Sequence, residues 1–504
     1  MRSSRLWLLA GTAAAVVALA LSFDGTPAPG TAGLEAPPVP AAGGPDALSS
    51  TWYCAAGGAA TEAPMGHSLF LMNPAGEDTT AKITAYGEEG VVGETTVEVP
   101  APGPTTVGLN AAFGAAGLSV VVESSAGQLV VEHRLADETS ADQVACSTSS
   151  SDRWFFPAQT TLRNTSAQLH LFNPFPEDAS VDISAAVDDG VREPPEWQGL
   201  VVPARTSRVI DLGVGAQRRD QFAVSVELRN GQLVAETAQT LVTPAEGDAP
   251  ATRGLRLQLG VPEADSDWTF ANGFTGPGVS ERLVVFNPGE QPAEVVVQVT
   301  PFGAVELLPE PFELEVPARR YAVLDLSAET RVPPEGLHAI RVESGDRTPV
   351  VVGRVVTITG PRADPSAPEI ALRPPTSLGT AIGTGTPLGA TLWAATGLVV
   401  GEGQDSTVLV HNPTSTTVTV TATVIGGAAD GTPLADAVEI PPGDSVAVAT
   451  GGQGLGEQEV TVLVEATAPV VVERTVTFIS QNDLSMGLAV PLPLGRDGLT
   501  PVRG

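Results

Sequence analysis

Recurring carboxylates are the residues of this sequence whose type and spacing could support catalysis. Glu123 and Glu132 lie nine residues apart, and the pattern between them predicts a hairpin. The same spacing recurs, to within one residue, in Glu227 with Glu236 and in Glu465 with Glu473. Two opposed carboxylates can act as acid and base in glycoside hydrolysis. However, a catalytic pair need not occur three times, and Gly353 stands at the fourth equivalent position, so ion pairing with the nearby Arg134 and Arg474 is the favoured interpretation.

The remaining polar residues predict no other reaction chemistry. The five histidines fall at unrelated positions without metal-ligand spacing, namely His67, His133, His170, His338 and His411. No nucleophile elbow, phosphate-binding loop or dinucleotide fingerprint occurs. We therefore predict a protein that is not an enzyme, with no catalytic, cofactor-binding or metal-binding residues.

Four tryptophans and four Asn-Pro pairs recur in the same order along the chain. The tryptophans are Trp52, Trp154, Trp268 and Trp393, and the asparagines are Asn73, Asn173, Asn287 and Asn412. Each Trp is predicted to fill the core at the start of a domain, with a sugar-stacking platform as the alternative. Each Asn is predicted to hold a turn through its side chain, with a ladder of ligand-binding amides as the alternative.

Two further landmarks show that these residues mark four copies of one unit. An apolar residue before Pro follows each Asn by 26 to 29 residues, and the Trp-to-Asn gap is 19 to 21 residues. A Val-Glu pair comes late in each copy, beginning at Val122, Val226, Val342 and Val464. Four landmarks with such steady gaps define a tandem repeat of about a hundred residues.

The segments between the landmarks alternate apolar and polar residues with a period of two. In the fourth copy Val418, Val420, Ala422 and Val424 alternate with threonines. This period predicts half-buried strands, and we count about seven per copy. The predicted fold class is therefore all-β, with four tandem immunoglobulin-like β-sandwich domains after an N-terminal helix. A propeller with two blades per copy is the minor alternative.

Composition and charge narrow the classes of partner. The 26 basic residues are outnumbered by 58 acidic ones, for a net charge of −32, and Lys82 is the single lysine of the sequence. Phosphate would repel such a chain, so we predict no nucleic-acid partner. Solubility explains the acidity most simply. Loose binding of divalent cations is the alternative, although no calcium-loop motif occurs.

The first residues predict export. Arg2 and Arg5 precede an uncharged stretch over 6–23, which is typical of a cleaved signal peptide or an uncleaved membrane anchor. Residues 24–48 are rich in Pro, Ala and Gly and predict a flexible stalk. The expected location is extracytoplasmic, with membrane contact through the N-terminal segment only.

The two cysteines agree with this location. Cys54 and Cys146 bracket the first copy, and a single pair in an exported chain most simply forms a disulfide. A catalytic or metal-binding thiol pair is the alternative, but it lacks the C-x-x-C spacing and a suitably placed His.

The landmarks also predict domain boundaries. Apolar pieces at 255–261, 370–372 and 488–494 are expected to add a closing strand to the second, third and fourth copies. Cys146 lies at the matching place of the first copy. The segments are the signal or anchor at 1–23, the stalk at 24–48, and the repeats at 49–150, 151–263, 264–388 and 389–504.

A resemblance to known families rests on these motifs. A strand, Asn-Pro, an alternating strand and Val-Pro-Ala at 202–204 and 316–318 resemble bacterial surface immunoglobulin-like modules. Four copies behind a signal or anchor resemble a family of uncharacterised actinobacterial envelope proteins. The resemblance covers most of residues 49–495. It implies a fold and a location, but no active site.

These observations predict a non-enzymatic envelope protein built as a rod of four sandwiches that spaces or presents a partner. The expected partner is a protein or glycan of the cell envelope. One alternative is an accessory subunit of a membrane-bound enzyme or transporter of envelope polymers. The other is a carbohydrate-binding or hydrolytic surface protein.

Overall fold

The fold is known from a computed structural model and is all-β, which confirms the predicted class. The structure describes residues 38–57, 65–244, 251–303, 308–360, 378–400, 404–450, 455, 458–493 and 498–502. The predicted signal or anchor at 1–23, the stalk up to residue 37 and the predicted strand at 370–372 lie outside the described residues. Within those residues, no helix has the length and apolarity needed to span a membrane.

Repeat 1 contains eight strands and one short helix, α1 (Leu109–Phe113). The strands are β1 (Ser50–Cys54), β2 (Gly66–Asn73), β3 (Thr79–Gly87), β4 (Gly90–Val99), β5 (Gly103–Gly108), β6 (Ser119–Ser124), β7 (Val130–Ala136) and β8 (Ala141–Ala145).

Repeats 2 and 3 follow the same order. Repeat 2 adds the helix α2 (Leu212–Gly215) and splits the fourth strand around the 3-10 turn Pro195–Trp197. Its strands are β9 (Arg153–Gln159), β10 (Thr165–Asn173), β11 (Ala179–Val187), β12 (Gly190–Arg192), β13 (Leu200–Val202), β14 (Thr206–Asp211), β15 (Phe222–Asn230), β16 (Val234–Thr243) and β17 (Thr252–Leu259). Those of repeat 3, with a 3-10 turn at Leu326–Ala328, are β18 (Asp267–Thr275), β19 (Val279–Asn287), β20 (Ala293–Pro301), β21 (Phe312–Val316), β22 (Arg320–Asp325), β23 (Gly336–Ser344), β24 (Val351–Thr359) and β25 (Leu378–Thr384).

Repeat 4 runs its sixth and seventh strands together as one long strand, β31. It also has a 3-10 turn at Gly427–Ala429. Its strands are β26 (Leu388–Val400), β27 (Gln404–His411), β28 (Val418–Ile425), β29 (Pro433–Ile440), β30 (Ser445–Ala449), β31 (Gln458–Phe478), β32 (Asp483–Leu488), β33 (Val490–Pro491) and β34 (Leu499–Pro501).

Each repeat is a sandwich of two antiparallel sheets. In repeat 1 the sheets have the orders β1-β6-β3-β4 and β5-β2-β7-β8. The second strand pairs with the fifth and the third with the sixth, as in an immunoglobulin sandwich. The order differs from the immunoglobulin one because the first strand pairs with the sixth and the seventh pairs with the second. Repeat 1 has one strand more than the seven predicted, because the closing strand β8 is a full member of its sheet.

The apolar residues of the alternating strands face the space between the two sheets. Val418, Val420, Ala422 and Val424 of β28 are buried, whereas the threonines between them are partly exposed. Because side chains alternate along a strand, this one pattern fixes which face of each sheet enters the core.

The four repeats form one compact unit over residues 38–504, so the predicted rod is wrong. Buried clusters join repeat 1 to repeat 2, repeat 2 to repeat 3 and repeat 3 to repeat 4. A further cluster joins repeat 4 back to repeat 1, where Leu392 and Val490 pack with Trp52 and Leu71. The repeats therefore close into a ring. We call the contact between two neighbouring repeats a seam.

The closing strands of the four repeats, β8, β17, β25 and β32, meet at the centre of the ring. We call them the inner strands, and the line about which they are arranged is the ring axis. The closing strand predicted at 255–261 corresponds to β17. The one predicted at 488–494 is shifted, because β32 ends at Leu488 and β33 follows it.

Residues 38–43 of the predicted stalk pack on this ring. Val39 and Ala42 are buried, and the Ala42 N–H donates to the Pro491 carbonyl of repeat 4 at 3.0 Å. The Gly43 N–H donates to the Gly127 carbonyl of repeat 1 at 3.0 Å. The prediction of a flexible stalk over 24–48 is therefore wrong for residues 38–43, which bridge the seam between repeats 4 and 1.

A closed ring makes a clear prediction for solution scattering. A compact body of this length has a radius of gyration of about 23 Å. We expect small-angle X-ray scattering of the purified protein to give a value near this one. A markedly larger radius, with the pair-distance profile of an elongated particle, would contradict ring closure.

Candidate functional site

The four recurring tryptophans lie in the sandwich cores. Trp52, Trp154, Trp268 and Trp393 are at most 1% exposed. In repeats 1 to 3 each indole N–H donates to the backbone carbonyl just before the seventh strand, at Leu129, Leu233 and Val350, and in repeat 4 to the equivalent Val470 within β31; the distances are 2.9 to 3.1 Å. Each Trp thus fills the core and satisfies its one polar group. Such burial excludes these indoles as exposed platforms for sugar stacking.

The four recurring asparagines are equally buried and make one repeated set of hydrogen bonds. The Asn287 side-chain amide donates to the carbonyls of Gln291 and Val316, at 2.7 and 3.0 Å, and its oxygen accepts from the Gly289 N–H. Asn73, Asn173 and Asn412 make the same contacts in their own repeats. The Asn therefore links its own turn to the apolar residue of the Val-Pro landmark, which explains why the two occur together.

The predicted disulfide between Cys54 and Cys146 is confirmed, and both residues are fully buried. It joins the first strand of repeat 1 to the end of its inner strand. At the equivalent place of repeat 2, Phe156 packs over Gly260, where an added Cβ would lie 2.8 Å from the ring. Phe270 covers Gly385 in repeat 3 in the same way. An aromatic ring over a glycine thus takes the place of the disulfide in these two repeats.

The recurring carboxylates do not form catalytic pairs. Glu123 is exposed on β6, whereas Glu132 is fully buried on β7, which belongs to the other sheet. Glu227 and Glu465 are likewise exposed, and their partners Glu236 and Glu473 are buried. The sequence predicts surface ion pairs with the adjacent Arg134 and Arg474; Arg474 instead pairs with Glu132 of repeat 1 and is buried in a seam, and Arg134 pairs with Glu459.

The buried glutamates occupy equivalent positions on the seventh strands. Glu132, Glu236 and Glu473 each pair with the residue three positions before the recurring Asn, and Gly353 does so in repeat 3. Each of the three carboxylates contacts a basic residue of the preceding repeat in the ring. That residue comes directly after the position equivalent to the glutamate, and the pairs are Glu132 with Arg474, Glu236 with His133 and Glu473 with Arg354. Three seams therefore carry the same contact between a carboxylate and a basic side chain.

The seam between repeats 4 and 1 holds the most extensive of these contacts. The Arg474 guanidinium donates to Glu132 Oε2 at 3.0 Å, and both side chains are fully buried. The same oxygen accepts from Gln143 Nε2 at 2.5 Å and from the Thr396 hydroxyl at 2.9 Å. This carboxylate therefore joins a cation and a hydroxyl of repeat 4 to an amide of its own repeat.

The seam between repeats 3 and 4 carries the equivalent pair. Arg354 Nη2 donates to Glu473 Oε2 at 3.1 Å, with both side chains about 1% exposed. Burial raises the pKa of Glu473, and the guanidinium acts in the opposite direction. The Asn272 amide of repeat 3 also donates to the Thr475 hydroxyl at 2.6 Å, so this seam has polar contacts beside its apolar cluster.

The seam between repeats 1 and 2 uses histidine instead of arginine. His133 Nε2 lies 3.3 Å from Glu236 Oε2, which accepts from the Ala56 N–H at 2.6 Å. His67 Nε2 and His133 Nδ1 are 3.1 Å apart. Burial lowers the pKa of His67 well below its usual value and lowers that of His170, beside Glu236, to about 4. Three histidines that are far apart in the sequence, His67, His133 and His170, thus lie together at one seam.

The seam between repeats 2 and 3 lacks the charge pair. Its equivalent residues are Thr237 and Gly353, and a Cβ added to Gly353 would lie 2.7 Å from a ring carbon of Pro157. Arg256 instead crosses this seam and donates to the Thr380 hydroxyl at 2.7 Å. Burial lowers the pKa of Arg256 to about 10. Gly rather than Glu at position 353 of repeat 3 thus reflects close packing against Pro157 of repeat 2.

Two acidic residues lie among the inner strands. Asp483 is fully buried and accepts four backbone N–H groups. Asp142 accepts from the Leu257 N–H at 2.6 Å and from the Gln143 N–H at 2.8 Å. Burial raises the pKa of Asp483 to about 8 and that of Asp142 to about 7, and their hydrogen bonds act in the opposite direction. Neither residue recurs among the copies, so the repeat pattern does not point to them.

A small cavity lies beside these strands and is a candidate for a binding site. Its volume is about 60 Å³, and all four inner strands and residues 38–40 line it. Val39 is buried against this end of the ring, and Gln143, Gln258 and Arg474 supply polar atoms. The space suits a few water molecules rather than a sugar or cofactor. In the described ranges, no group of three or more His, Cys, Asp or Glu side chains could hold a metal ion.

A family of unknown function, DUF5719, matches residues 137–253 of this chain. The matched segment begins just before inner strand β8, continues through repeat 2 and ends at the start of β17. It covers well under half of the chain. No curated protein is significantly similar in sequence.

Solved structures give only distant similarities. Thermotoga maritima protein 1070 is 18% identical over 24% of this chain and 93% of its own, with a TM-score of 0.19. The Anabaena sensory rhodopsin transducer is 25% identical over 18% of this chain and 92% of its own, with a TM-score of 0.16. A Streptomyces avermitilis α-L-rhamnosidase is 12% identical over 81% of this chain and 54% of its own, with a TM-score of 0.12. TM-scores this low define neither a shared overall architecture nor a shared activity.

The charge pair at the seam between repeats 4 and 1 predicts a large effect of removing one partner. Arg474→Met leaves the Glu132 carboxylate buried without its cation and should lower the free energy of unfolding by about 3–5 kcal/mol. Adding Glu132→Gln should restore most of this loss. The measurement is urea denaturation followed by tryptophan fluorescence.

The matched control is the pair of Lys82 with Glu94, whose side chains are 45% and 54% exposed. Lys82→Met should leave the urea midpoint close to that of the wild type, because solvent screens an exposed ion pair. An effect of Arg474→Met as small as this would contradict the role of the buried pair.

The buried histidines predict loss of stability in mild acid. His170 has a folded-state pKa of about 4, below the value near 6.5 of an unfolded chain, so its unfolded form binds the proton more readily. Its contribution is complete above pH 6.5 and is lost as the pH falls towards 4. His170→Gln should therefore reduce the loss of unfolding free energy between pH 7 and pH 5 by about 2 kcal/mol.

His411 in repeat 4 provides an independent comparison, because burial also lowers its pKa to about 4. His411→Gln should give a similar reduction in urea denaturation at the two pH values. Equal pH dependence in the wild type and both variants would show that these imidazoles take up protons as easily when folded as when unfolded.

Proposed function

We propose that this chain is an exported, non-enzymatic protein of the cell envelope whose four repeats form one rigid body for interaction with an envelope protein or glycan. The observation that carries the proposal is that the recurring polar side chains are occupied in contacts within the protein. The tryptophans and asparagines make contacts that hold each repeat together, and the buried glutamates Glu132 and Glu473 make contacts that join neighbouring repeats. Binding by this protein is therefore expected on its outer surface rather than in a reactive cleft.

Export is supported by the disulfide between Cys54 and Cys146, two residues that are 92 positions apart in the sequence. Such bonds persist in oxidising compartments. The resemblance to actinobacterial envelope proteins points to the same location. The burial of the four tryptophans weakens the alternative of a carbohydrate-binding protein, because it removes the aromatic surface on which sugars would stack.

The location is tested by replacing the disulfide. Cys54→Ala with Cys146→Ala should lower the free energy of unfolding by about 2–4 kcal/mol, since the unfolded chain regains the freedom of a long loop. In producing cells, a protease that cannot cross the membrane should digest this variant while sparing a cytoplasmic marker. Protection of the protein in intact cells, with loss of protection on lysis, would overturn the extracytoplasmic assignment.

The absence of catalysis is tested by incubating the purified protein with envelope glycans and separating the products by mass spectrometry. We expect the glycans to be recovered unchanged, whether or not they bind. Products that form with the wild type, and disappear with Glu236→Gln, would overturn the proposal. Cross-linking in intact cells then separates a protein partner, such as a polymer-assembly enzyme, from a glycan partner.

A further inference from the structure

The ring axis carries a carboxylate held by all four repeats. Asp483 Oδ2 accepts the N–H groups of Ala141 and Leu255 at 3.1 and 2.9 Å. Its Oδ1 accepts those of Thr380 and Leu484 at 3.1 and 3.0 Å. One donor comes from each inner strand, and the side chain is fully buried. A single side chain thus contacts every repeat of the ring.

The four donors occupy the same place in the four repeats. Ala141, Leu255, Thr380 and Leu484 pair with residues at one equivalent position of the seventh strands, namely Ala136, Thr240, Thr357 and Thr477. The four-part arrangement therefore directs four equivalent N–H groups to one point. This geometry comes from the backbone and does not depend on the side chains of the donors.

The residues directly before the four N–H donors leave space at the ring axis for only one carboxyl side chain. They are Ser140, Gly254, Gly379 and Asp483 itself. A Cβ added to Gly254 would lie 2.6 Å from Asp483 Oδ1, and one added to Gly379 would lie 3.1 Å from it. Both glycines also have positive φ angles, of 153° and 148°. The inner strands of repeats 2 and 3 are thus shaped around the Asp483 carboxyl.

We propose that the ring axis is an anion-binding site formed by four backbone N–H groups, that the Asp483 carboxylate is its built-in ligand, and that a small free carboxylate binds there when this side chain is absent. Converging backbone N–H groups are a known way to bind anions. Each Asp483 oxygen accepts two N–H groups, which is the pattern of a carboxylate, because a carboxylic acid would have to donate from one oxygen. The proposal is independent of the cellular function proposed above.

The charged groups nearest the axis have mixed signs. Arg256 of repeat 2 interacts with both Asp483 and Asp142, and Arg474 of repeat 4 interacts with Asp142. The site is therefore not a simple pool of positive charge. Its preference for an anion comes from the directed N–H groups, which a planar carboxylate matches in pairs.

The test is chemical rescue of Asp483→Gly in the full chain. This variant removes the carboxylate and places at 483 the residue already present at 254 and 379. At pH 9, above the pKa of about 8 of Asp483, so that the wild-type side chain and acetate are both ionised, sodium acetate should raise its urea midpoint more than sodium chloride at equal ionic strength. The unfolding constant should fall about tenfold when acetate reaches ten times its dissociation constant. The wild type should not respond, because its site is filled.

Leu484→Ala is the matched control, since Leu484 is the fully buried neighbour and its truncation frees no N–H group. Acetate should not stabilise it beyond chloride. An equal effect of acetate and chloride on Asp483→Gly, or an equal response of Leu484→Ala, would overturn the proposal.

Asp483→Asn keeps the test decisive if the glycine variant fails to fold even in acetate. The carboxamide fills the space but directs an NH₂ group towards two of the N–H donors. We expect this variant to fold with a lower urea midpoint and to show no response to acetate. A midpoint equal to that of the wild type would show that the anion is not required and would overturn the proposal.

Discussion

The structure depends on how four sheet edges are buried together. Each inner strand is the edge of its sheet, and the unpaired backbone groups of an edge normally face water. At the ring axis these groups meet one another instead, and a buried N–H without an acceptor is costly. Asp483 and Asp142 supply acceptors for inner-strand N–H groups, while Arg474 and the Ser485 hydroxyl donate to the Gln143 carbonyl. Closure of the ring is possible because these side chains replace water.

The seams add specificity to this closure. The sandwiches bury similar apolar faces, so apolar contact alone would not fix which repeat lies beside which. The buried pairs do so, because Glu132 requires Arg474 and Glu473 requires Arg354. The seam between repeats 2 and 3 carries no such pair and is packed through Gly353 and Pro157. Removing one member of a buried pair is costly, so each pair disfavours an incorrect neighbour more than it strengthens the correct one.

The sequence was sufficient for the parts of the fold that recur. Trp52 and its three counterparts, the Asn-Pro pairs and the period of two each depend on contacts within one repeat, so they leave a regular pattern. The ring was not predictable, because the spacing of residues along the chain does not show that a glutamate of one repeat contacts a cation of the preceding one: His133 at one seam, Arg354 and Arg474 at others. The candidate carboxylates were selected by spacing, yet Glu123 and Glu132 belong to different sheets. Asp483 occurs once, so no repeating pattern marks it.

A single Asp at the ring axis is possible because the four repeats belong to one chain. Four identical separate subunits could not provide it. In a symmetric tetramer, a residue placed on the four-fold axis appears four times. Four carboxylates at one point would repel each other and could not share four N–H donors. A single chain can instead place one Asp and three smaller residues, Ser140, Gly254 and Gly379, around the axis. Tandem fusion thus permits an asymmetric centre, and divergence of the inner strands follows from the geometry of the ring.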